Sequence, residues 1–370
     1  MSRFFYLNLN FFILIKPFRK TTLTSPLSRY SFSVALEKKS LSPPLSCFFN
    51  QPVLICGYSG TGDKMKTVIM GAGAMGSLFG GLLTLSGRDV WLVDIWKEHI
   101  DAIRSRGLTL EEKGKAGNIH VNATTEVASI GKADLVLFFV KTYQTEKAVS
   151  DALVLQKEDT VFLTLQNGLG NEETICKRVG PRNVVLGVTN HGATLLGPGH
   201  IRHAGWGKTD IGELDGTETD RLTEIAQVFR KAEIETEVSS NIHDLVWAKL
   251  FVNIGMNALT ALTGFKNGQL LDYPETLRLM EALVSEAVEV AKRKGVRFEG
   301  NPFDHVRAVA EATRQNRSSM GQDFDYKRRT EIDAINGAVV KEAARMGIPV
   351  PYNQAITDLV KANEKRFGQG

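Results

Sequence analysis

The chain has 370 residues, more than the roughly 100 to 200 that are typical of one domain. Because 43% of the residues are hydrophobic and only 23% are charged, a disordered chain is excluded. The formal net charge is +4, but residues 1–64 alone carry +6, which leaves −2 on residues 65–370. The body of the protein therefore lacks the positive charge that binding to nucleic acid requires, and we expect no nucleic-acid partner.

Cysteine and histidine are too sparse in the body to build a metal site or a disulfide framework. Of the three cysteines only Cys176 follows residue 64. His200 and His203 have no acidic or thiol partner at ligand spacing. We therefore expect no metal, and a reducing, cytoplasmic setting.

Residues 1–64 differ in composition from the rest of the chain. Their longest apolar run, residues 4–15, contains Asn8 and Asn10 and is shorter than the roughly 20 residues of a membrane-spanning helix. Met65 begins a nucleotide-binding unit as an initiator methionine would, so we interpret residues 1–64 as an extension from a mis-called start. The alternatives are an organellar transit peptide, which would change the compartment, and a membrane-attached leader.

A glycine-rich motif follows the first predicted strand of the body. The apolar run at residues 66–70 leads directly into Gly71-Ala72-Gly73-Ala74-Met75-Gly76, and a helix is predicted over residues 77–85. In this context Gly71 permits the tight turn, Gly73 lets the backbone approach a pyrophosphate, and Gly76 lets the helix pack closely. The backbone of Gly71, Gly73, Ala74, Met75 and Gly76 is therefore predicted to bind a dinucleotide at the helix N-terminus.

An acidic residue ends the second predicted strand, residues 90–93. Asp94 lies 18 residues after Gly76, where a carboxylate accepts hydrogen bonds from the adenine ribose hydroxyls. The same carboxylate would repel the 2′-phosphate of NADP(H), so Asp94 favours NAD(H). Lys97 is the only nearby cation that could offset this repulsion.

Two polar residues follow the next buried strands, which are predicted at residues 133–140 and 160–165. Lys141 and Asn167 come directly after them, at the sheet edge where open α/β folds bind ligands. Both are predicted to border the cofactor, although a solvated lysine and a turn-forming Asn-Gly pair are the alternatives. A further strand is predicted at residues 184–188, followed by a hairpin around Pro198-Gly199 that runs to Ile211.

The pattern changes to long helices from residue 240 onward. Helices are predicted at residues 242–262, 274–294, 302–315, 322–346 and 353–367. The fold class is therefore an α/β Rossmann-type domain over residues 65–238 followed by an all-helical domain over residues 239–370, with the active site in the cleft between them.

The first of these helices carries Lys249, Asn253 and Asn257 at i, i+4 and i+8. These residues form one polar stripe within a largely apolar helix, which is typical of the wall of a polar cleft. An exposed polar stripe without function is the alternative.

A second polar stretch begins at Asn316. Ser319 and Gln322 have the spacing of a capping box, so Ser319 is either a helix cap or a group that binds a carboxylate. Glu331 is predicted on the apolar face of the same long helix, where it needs a partner such as a lysine across the cleft.

These motifs resemble the ketopantoate reductases (2-dehydropantoate 2-reductases), over essentially all of residues 65–370. The similarity rests on GAGAMG after the first strand, Lys141, Gln166-Asn167-Gly168, the hairpin region from Gly192-Ala193 to Gly205-Trp206-Gly207, Trp247-Ala248-Lys249-Leu250 with Asn253 and Asn257, and SSMGQD followed by RRTEID. The resemblance implies NADP(H)-dependent reduction of 2-dehydropantoate to pantoate in pantothenate and coenzyme A biosynthesis. For the cofactor, this family expectation of NADP(H) opposes the NAD(H) favoured by Asp94.

Roles for the polar residues also follow from this resemblance. It implies that Lys249 is the general acid and that Glu331 interacts with Lys249 or with substrate. It implies that Asn253, Asn257 and Ser319 hold substrate groups, with Asn316 as a further member. Lys141 and Asn167 would border nicotinamide and substrate.

Two other functions remain open from the sequence. One is reduction of another branched 2-oxo acid on the same fold, and the other is a non-catalytic dinucleotide sensor. The expected partner is a small 2-oxo acid rather than a membrane, and a homodimer is left open.

Overall fold

A computed structural model of the chain describes residues 65–367. The predicted extension at residues 1–64 lies outside the described residues. The strands are β1 (Thr67–Met70), β2 (Val90–Val93), β3 (Leu108–Glu112), β4 (Lys115–Ile119), β5 (Asn122–Thr124), β6 (Leu135–Phe138), β7 (Val161–Thr164), β8 (Val184–Thr189), β9 (Gly192–Gly197), β10 (His200–Gly205), β11 (Thr209–Glu213) and β12 (Thr236–Val238). The helices are α1 (Ala74–Leu85), α2 (Lys97–Arg106), α3 (Thr145–Ala152), α4 (Asn171–Val179), α5 (Asp220–Lys231), α6 (Ile242–Thr263), α7 (Pro274–Arg293), α8 (Pro302–Ala312), α9 (Ser319–Asp325), α10 (Asn336–Met346) and α11 (Pro351–Glu364).

The main sheet has eight strands in the order β12-β11-β8-β7-β6-β1-β2-β5. The six strands from β8 to β5 are parallel, while β11 runs antiparallel to β8. Alternate side chains of β1 enter different cores: Ile69 packs with α1 on one face, while Val68 and Met70 pack on the other. This burial on both faces explains the continuous apolar runs in the sequence and confirms the predicted α/β fold.

A second sheet of four strands, in the order β4-β3-β10-β9, lies beside α1. The predicted hairpin around Pro198-Gly199 is present as the antiparallel pair β9 and β10. Its predicted extent to Ile211 is wrong, because β11 leaves this sheet and pairs with β8 in the main sheet. Strands β3, β4, β5 and β12 and helices α2 to α5 were not predicted from the sequence.

The helices after β12 form a separate hydrophobic core around α6, which contacts α7, α8, α9 and α11. Among the described helices, α6 is the one long and apolar enough to cross a membrane by length and composition, and most of that stretch is buried. It is therefore the central core helix of this part. The last strand ends at Val238 and α6 begins at Ile242, so the proposed division between residues 238 and 239 falls in the connection.

The predicted continuous helix over residues 322–346 is wrong. The chain forms α9, leaves helical geometry at Lys327, whose φ is 50°, and resumes as α10 at Asn336. Between them, the amide of Thr330 donates to Glu364 over 2.7 Å, and the amide of Thr142 donates to Glu331 over 3.0 Å. These tertiary hydrogen bonds hold a turn that the apolar spacing of the sequence does not reveal.

Candidate active site

The glycine-rich turn between β1 and α1 has the geometry of a phosphate-binding turn. Gly71 has a φ of +98°, and a Cβ there would lie 2.6 Å from the backbone nitrogen of Val140. A Cβ on Gly76 would lie 1.9 Å from the Gly71 carbonyl oxygen, so only glycine permits this packing. A Cβ on Gly73, in contrast, would meet nothing within 4 Å, because this residue faces an open cavity. The turn therefore fits the close approach of a dinucleotide pyrophosphate.

The cavity beyond this turn has a volume of about 820 Å³ and is lined by both the sheet and the helical part. It brings together most of the residues predicted from the sequence. Those on its wall are Gly71, Gly73, Ala74, Met75, Asp94, Lys141, Asn167, Lys249, Ser319 and Glu331. Parallel strands end at this edge of the sheet, which explains why residues far apart in the sequence meet here.

Lys249 projects from α6 toward the carboxyl end of β8. Its Nζ donates to the carbonyl oxygen of Thr189 over 2.6 Å. Burial lowers the pKa of this amine to about 8, and the negative charge of Glu331 acts in the opposite direction. Lys249 is thus a half-buried amine that remains mostly protonated at neutral pH and yet can release its proton.

The rest of the α6 stripe also faces polar groups. Asn253 lines a small recess together with Lys249 and Asn167. Asn257 is buried, and its Nδ2 lies 3.5 Å from the Ser319 hydroxyl. Asn253 and Ser319 therefore each line a recess or cavity that Lys249 also lines, and Asn257 contacts Ser319, which supports the predicted polar cleft.

The capping-box interpretation of Ser319 is wrong, because the cap of α9 is Ser318. The Ser318 hydroxyl accepts from the Gly321 amide over 2.9 Å and also contacts the Thr260 hydroxyl. Gln322 donates to the Arg317 carbonyl oxygen instead of completing a box. The Ser319 hydroxyl is consequently not engaged as a cap and lies on the cavity wall.

Glu331 lies in the turn before α10, and its closest charged partner is Lys141. The Lys141 Nζ is 3.4 Å from Glu331 and 2.7 Å from Asp323. Burial acts to lower the pKa of Lys141, but the charges of Glu331 and Asp323 outweigh it and the pKa is raised. In the described part of the chain no ion pair within 4.0 Å joins Glu331 to Lys249. The expected helix position of Glu331 is thus wrong, while its need for a lysine is met by Lys141.

Asp323 was not singled out in the sequence. Burial raises the pKa of its carboxyl group, while the neighbouring Lys141 acts to lower it. The available signal was its position four residues after Ser319, which places both on one face of a helix. The fragment SSMGQD therefore contributes three cavity residues, Ser319, Gln322 and Asp323.

Asp94 and Lys97 have different surroundings from one another. Asp94 lines the cavity, and its Oδ1 accepts from the Trp96 amide over 2.9 Å. Lys97 forms an exposed pair with Asp101 in the next turn of α2. The cation that could have offset the charge of Asp94 is therefore engaged elsewhere.

Asn316 is not brought to the cavity wall. It lies exposed in the turn before α9, where its carbonyl oxygen accepts from the Asn267 amide over 3.0 Å.

The two histidines of the hairpin have different partners. His200 pairs with Glu111, and His203 contacts His191 over 3.2 Å. Within residues 65–367 no group of three or more acidic, histidine or cysteine side chains could hold a metal ion.

Comparison with known proteins gives matches over both parts of the fold. A family model described as ketopantoate reductase PanE/ApbA matches residues 67–216, and the model of its C-terminal part matches residues 241–364. The 2-dehydropantoate 2-reductase of Halobacterium salinarum is 37% identical over 302 residues, which cover 81% of this chain and 99% of that protein. The corresponding protein of Pyrococcus horikoshii is 38% identical, with coverages of 82% and 99%.

Solved structures add a second activity to these similarities. A ternary structure of D-mandelate dehydrogenase with NADH and anilino(oxo)acetate has a TM-score of 0.78 at 32% identity, covering 82% of this chain and 99% of that one. A PanE/ApbA family ketopantoate reductase from Ralstonia eutropha JMP134 has a TM-score of 0.77 at 33% identity, with the same coverages. The similarity therefore extends to proteins named for two activities, ketopantoate reductase and D-mandelate dehydrogenase.

Proposed function

Because the chain belongs to the ketopantoate reductase PanE/ApbA family, we propose that it reduces the ketone of 2-dehydropantoate to the alcohol of pantoate with NAD(P)H. This reaction supplies pantoate for pantothenate and coenzyme A. The observation that carries the proposal is the position of Lys249, whose half-buried amine shares one cavity with a glycine-rich turn, Asn167 and Ser319.

Reduction of a ketone requires a hydride and a proton at different atoms. When bound, NAD(P)H supplies the hydride to the carbonyl carbon. Negative charge then develops on the ketone oxygen, and the Lys249 ammonium group stabilises that charge and gives its proton to the oxygen. A pKa of about 8 suits this role, because the group is protonated at neutral pH and still acidic enough to donate.

The remaining polar groups match the other functional groups of 2-dehydropantoate. This substrate carries a hydroxyl group and a carboxylate besides its ketone. In our proposal Asn253 and Asn257 bind the hydroxyl group, and the Ser319 hydroxyl, which does not cap α9, donates to the carboxylate. The 3.5 Å contact between Asn257 and Ser319 places two of these groups within the span of one small molecule.

In the proposed mechanism Glu331 acts through position and charge. Its carboxylate holds Lys141 and the Thr142 hydroxyl, which lies 3.1 Å from Oε1, and it raises the pKa of Lys249 against the effect of burial. Asn167 lies beside Thr142 and Glu331, because its carbonyl oxygen accepts over 3.3 Å from the same Thr142 hydroxyl that contacts Glu331. These contacts link the end of β6 to the catalytic amine.

Reduction of an aromatic or other branched 2-oxo acid is the second candidate. The similarity to D-mandelate dehydrogenase favours it, because that protein has a TM-score of 0.78. The two candidates share hydride and proton chemistry and differ only in the side chain of the substrate. A non-catalytic sensor has less support, since a sensor has no use for the Lys249 proton donor.

For the coenzyme, we propose that NADH is used at least as well as NADPH. The Asp94 carboxylate on the cavity wall suits a free 2′-hydroxyl group and repels a 2′-phosphate. The pairing of Lys97 with Asp101 supports the same choice. Two D-mandelate dehydrogenase structures similar to this chain contain NADH.

The decisive experiment is an assay of the purified chain with three 2-oxo acids and both coenzymes. We would follow nicotinamide absorbance with 2-dehydropantoate, phenylglyoxylate and 3-methyl-2-oxobutanoate. A kcat/KM for 2-dehydropantoate at least tenfold above the others supports the proposal, using the Lys249→Ala variant as the inactive control. A preference for phenylglyoxylate would instead identify the second candidate.

A further inference from the structure

Residues 326–330 lie at the cavity in the turn between α9 and α10, and their backbone conformation is unusual. Lys327 is one of three non-glycine residues with positive φ among the described residues. The segment is fixed on the helical part by the Arg328 amide, which donates to the Asp323 carbonyl oxygen over 2.7 Å, and by the contact of Thr330 with Glu364. Its backbone conformation is thus set by specific contacts rather than by helix propensity.

The same segment is also held against the sheet part. The guanidinium of Arg329 lies over the Tyr143 ring, 4.4 Å from its centre, and the Tyr143 hydroxyl donates to the Arg329 carbonyl oxygen over 3.4 Å. Tyr143 follows β6, next to the cavity residue Lys141. The segment therefore bridges the two parts of the fold and fixes the position of its middle residue, Arg328.

Most cations on the cavity wall are already engaged. Lys141 is paired with two carboxylates, Lys147 is paired with Asp151 over 2.8 Å, and Lys249 donates to a carbonyl oxygen. Arg328 also lines the cavity, but its contacts differ from those of the three lysines. Its guanidinium lies 4.8 Å from the centre of the Tyr326 ring, and within the described residues no carboxylate oxygen lies within 4.0 Å of it.

We propose that Arg328 binds a phosphate group of the dinucleotide and so closes the coenzyme site from the helical part. The inference rests on the proposed use of NAD(P)H. The glycine-rich turn offers N–H groups to the pyrophosphate but no charged side chain, and a guanidinium forms two parallel hydrogen bonds with phosphate. Arg328 would supply the missing positive charge from the helical part, which lines the same cavity as the turn.

The carboxylate of the substrate is a less suitable anion for Arg328. Ser319 already offers a hydroxyl donor for that group, and this hydroxyl contacts the buried Asn257. Arg328 is exposed and lies next to the exposed ring of Tyr326, whereas Asn257 is buried. An exposed guanidinium suits the more solvated phosphates of a long dinucleotide.

The test compares Arg328→Gln with Arg328→Lys and with Arg293→Gln, a matched control because Arg293 is an exposed arginine at the end of α7 that does not line the cavity. The dissociation constants for NADH and NADPH are measured by calorimetry on the full chain without any 2-oxo acid. We expect Arg328→Gln to weaken binding about tenfold, Arg328→Lys to weaken it less, and Arg293→Gln to change it less than about twofold.

The two coenzymes distinguish the phosphate groups. An equal loss for NADH and NADPH assigns Arg328 to the pyrophosphate, and a loss for NADPH alone assigns it to the 2′-phosphate; both support the proposal. The proposal is overturned if Arg328→Gln binds both coenzymes as the wild-type chain does. It is also overturned if the only effect of Arg328→Gln is a higher KM for the 2-oxo acid, or if the wild-type chain binds neither coenzyme. If the wild-type chain binds coenzyme but reduces no 2-oxo acid, the proposed reaction fails while the assignment of Arg328 is still decided by the binding data.

Discussion

Replacing Lys249 with alanine removes the amine that we assign as proton donor to the ketone oxygen. We expect kcat for reduction to fall by about 10²- to 10⁴-fold, because general acid catalysis typically contributes that much. The dissociation constant of the coenzyme should change little. Steady-state kinetics and coenzyme titration measure the two effects, with Lys132→Ala, an exposed lysine outside the cavity, as the control. A near-normal kcat in Lys249→Ala would exclude this residue from the proton transfer.

The pH dependence of reduction follows from the same amine. Burial lowers the pKa of Lys249 to about 8, so kcat/KM should fall as the pH rises above about 8 and the ammonium group loses its proton. The charge of Glu331 raises this pKa, so Glu331→Gln should move the falling limb to lower pH. A pH profile of kcat/KM for both proteins tests the prediction. A limb that stays in place in Glu331→Gln would show that the two groups are not coupled.

Asp94 tests the choice of coenzyme at the level of one carboxylate. Asp94→Ala should move the ratio of kcat/KM values toward NADPH by about tenfold, because it removes a negative charge facing the 2′-phosphate. Asp94→Asn should move the ratio in the same direction while it keeps a hydrogen-bond acceptor for the Trp96 amide. Both ratios come from initial rates with the two coenzymes. A strong preference of the wild-type chain for NADPH would contradict our assignment of Asp94 to the ribose.

At the scale of one element, the start of α9 separates stability from binding in two adjacent serines. Ser318→Ala should lower the free energy of unfolding by about 1 to 2 kcal/mol, because it removes the cap of the Gly321 amide and a buried contact with Thr260. Ser319→Ala should leave stability unchanged and raise the KM of the 2-oxo acid about tenfold. Urea unfolding and steady-state kinetics, applied to both variants, provide the comparison. Equal effects of the two substitutions on KM would refute the division of roles.

Elements whose local sequence agrees with their environment were predicted within a few residues. The β1 strand, the glycine-rich turn and α6 follow from apolar runs and spacing alone. Strands with mixed polarity were missed, because β3 and β4 lie in the smaller sheet, β5 is an edge strand of the main sheet, and all three are only partly buried. The long helix predicted over residues 322–346 was wrong for another reason. Hydrogen bonds of Thr142 with Glu331 and of Thr330 with Glu364 override the helical periodicity of this stretch.

At the scale of the whole molecule, Lys141 joins the sheet to the helical part through Asp323 and Glu331. Lys141→Met would leave two largely buried carboxylates without their cation, and we expect the free energy of unfolding to fall by about 2 kcal/mol at neutral pH. The loss should shrink at acidic pH, because the Asp323 carboxyl group, whose pKa burial already raises, then becomes neutral. Lys147→Met removes an exposed pair and should cost less than about 0.5 kcal/mol. Chemical unfolding at two pH values tests both variants, and an equal loss in the two would contradict the bridging role.

The sequence by itself determined the class of fold, the dinucleotide-binding turn and the candidate proton donor. Gly71, Gly73 and Gly76 are recognisable because backbone conformation and close packing at these positions depend on local residue type. Lys249, Asn253 and Asn257 are recognisable because helical periodicity places them on one face. These features depend on neighbours along the chain, which a sequence displays directly.

Only the tertiary structure decided which groups meet. It paired Glu331 with Lys141, added Asp323, moved the cap from Ser319 to Ser318, and left Asn316 away from the cavity. It also placed Arg328 on the cavity wall with no carboxylate oxygen of the described residues within 4.0 Å. Such pairings join residues up to 190 positions apart, as in the contact of Lys141 with Glu331. They depend on how the sheet and the helices pack together, and no periodicity or spacing along the chain encodes that distance.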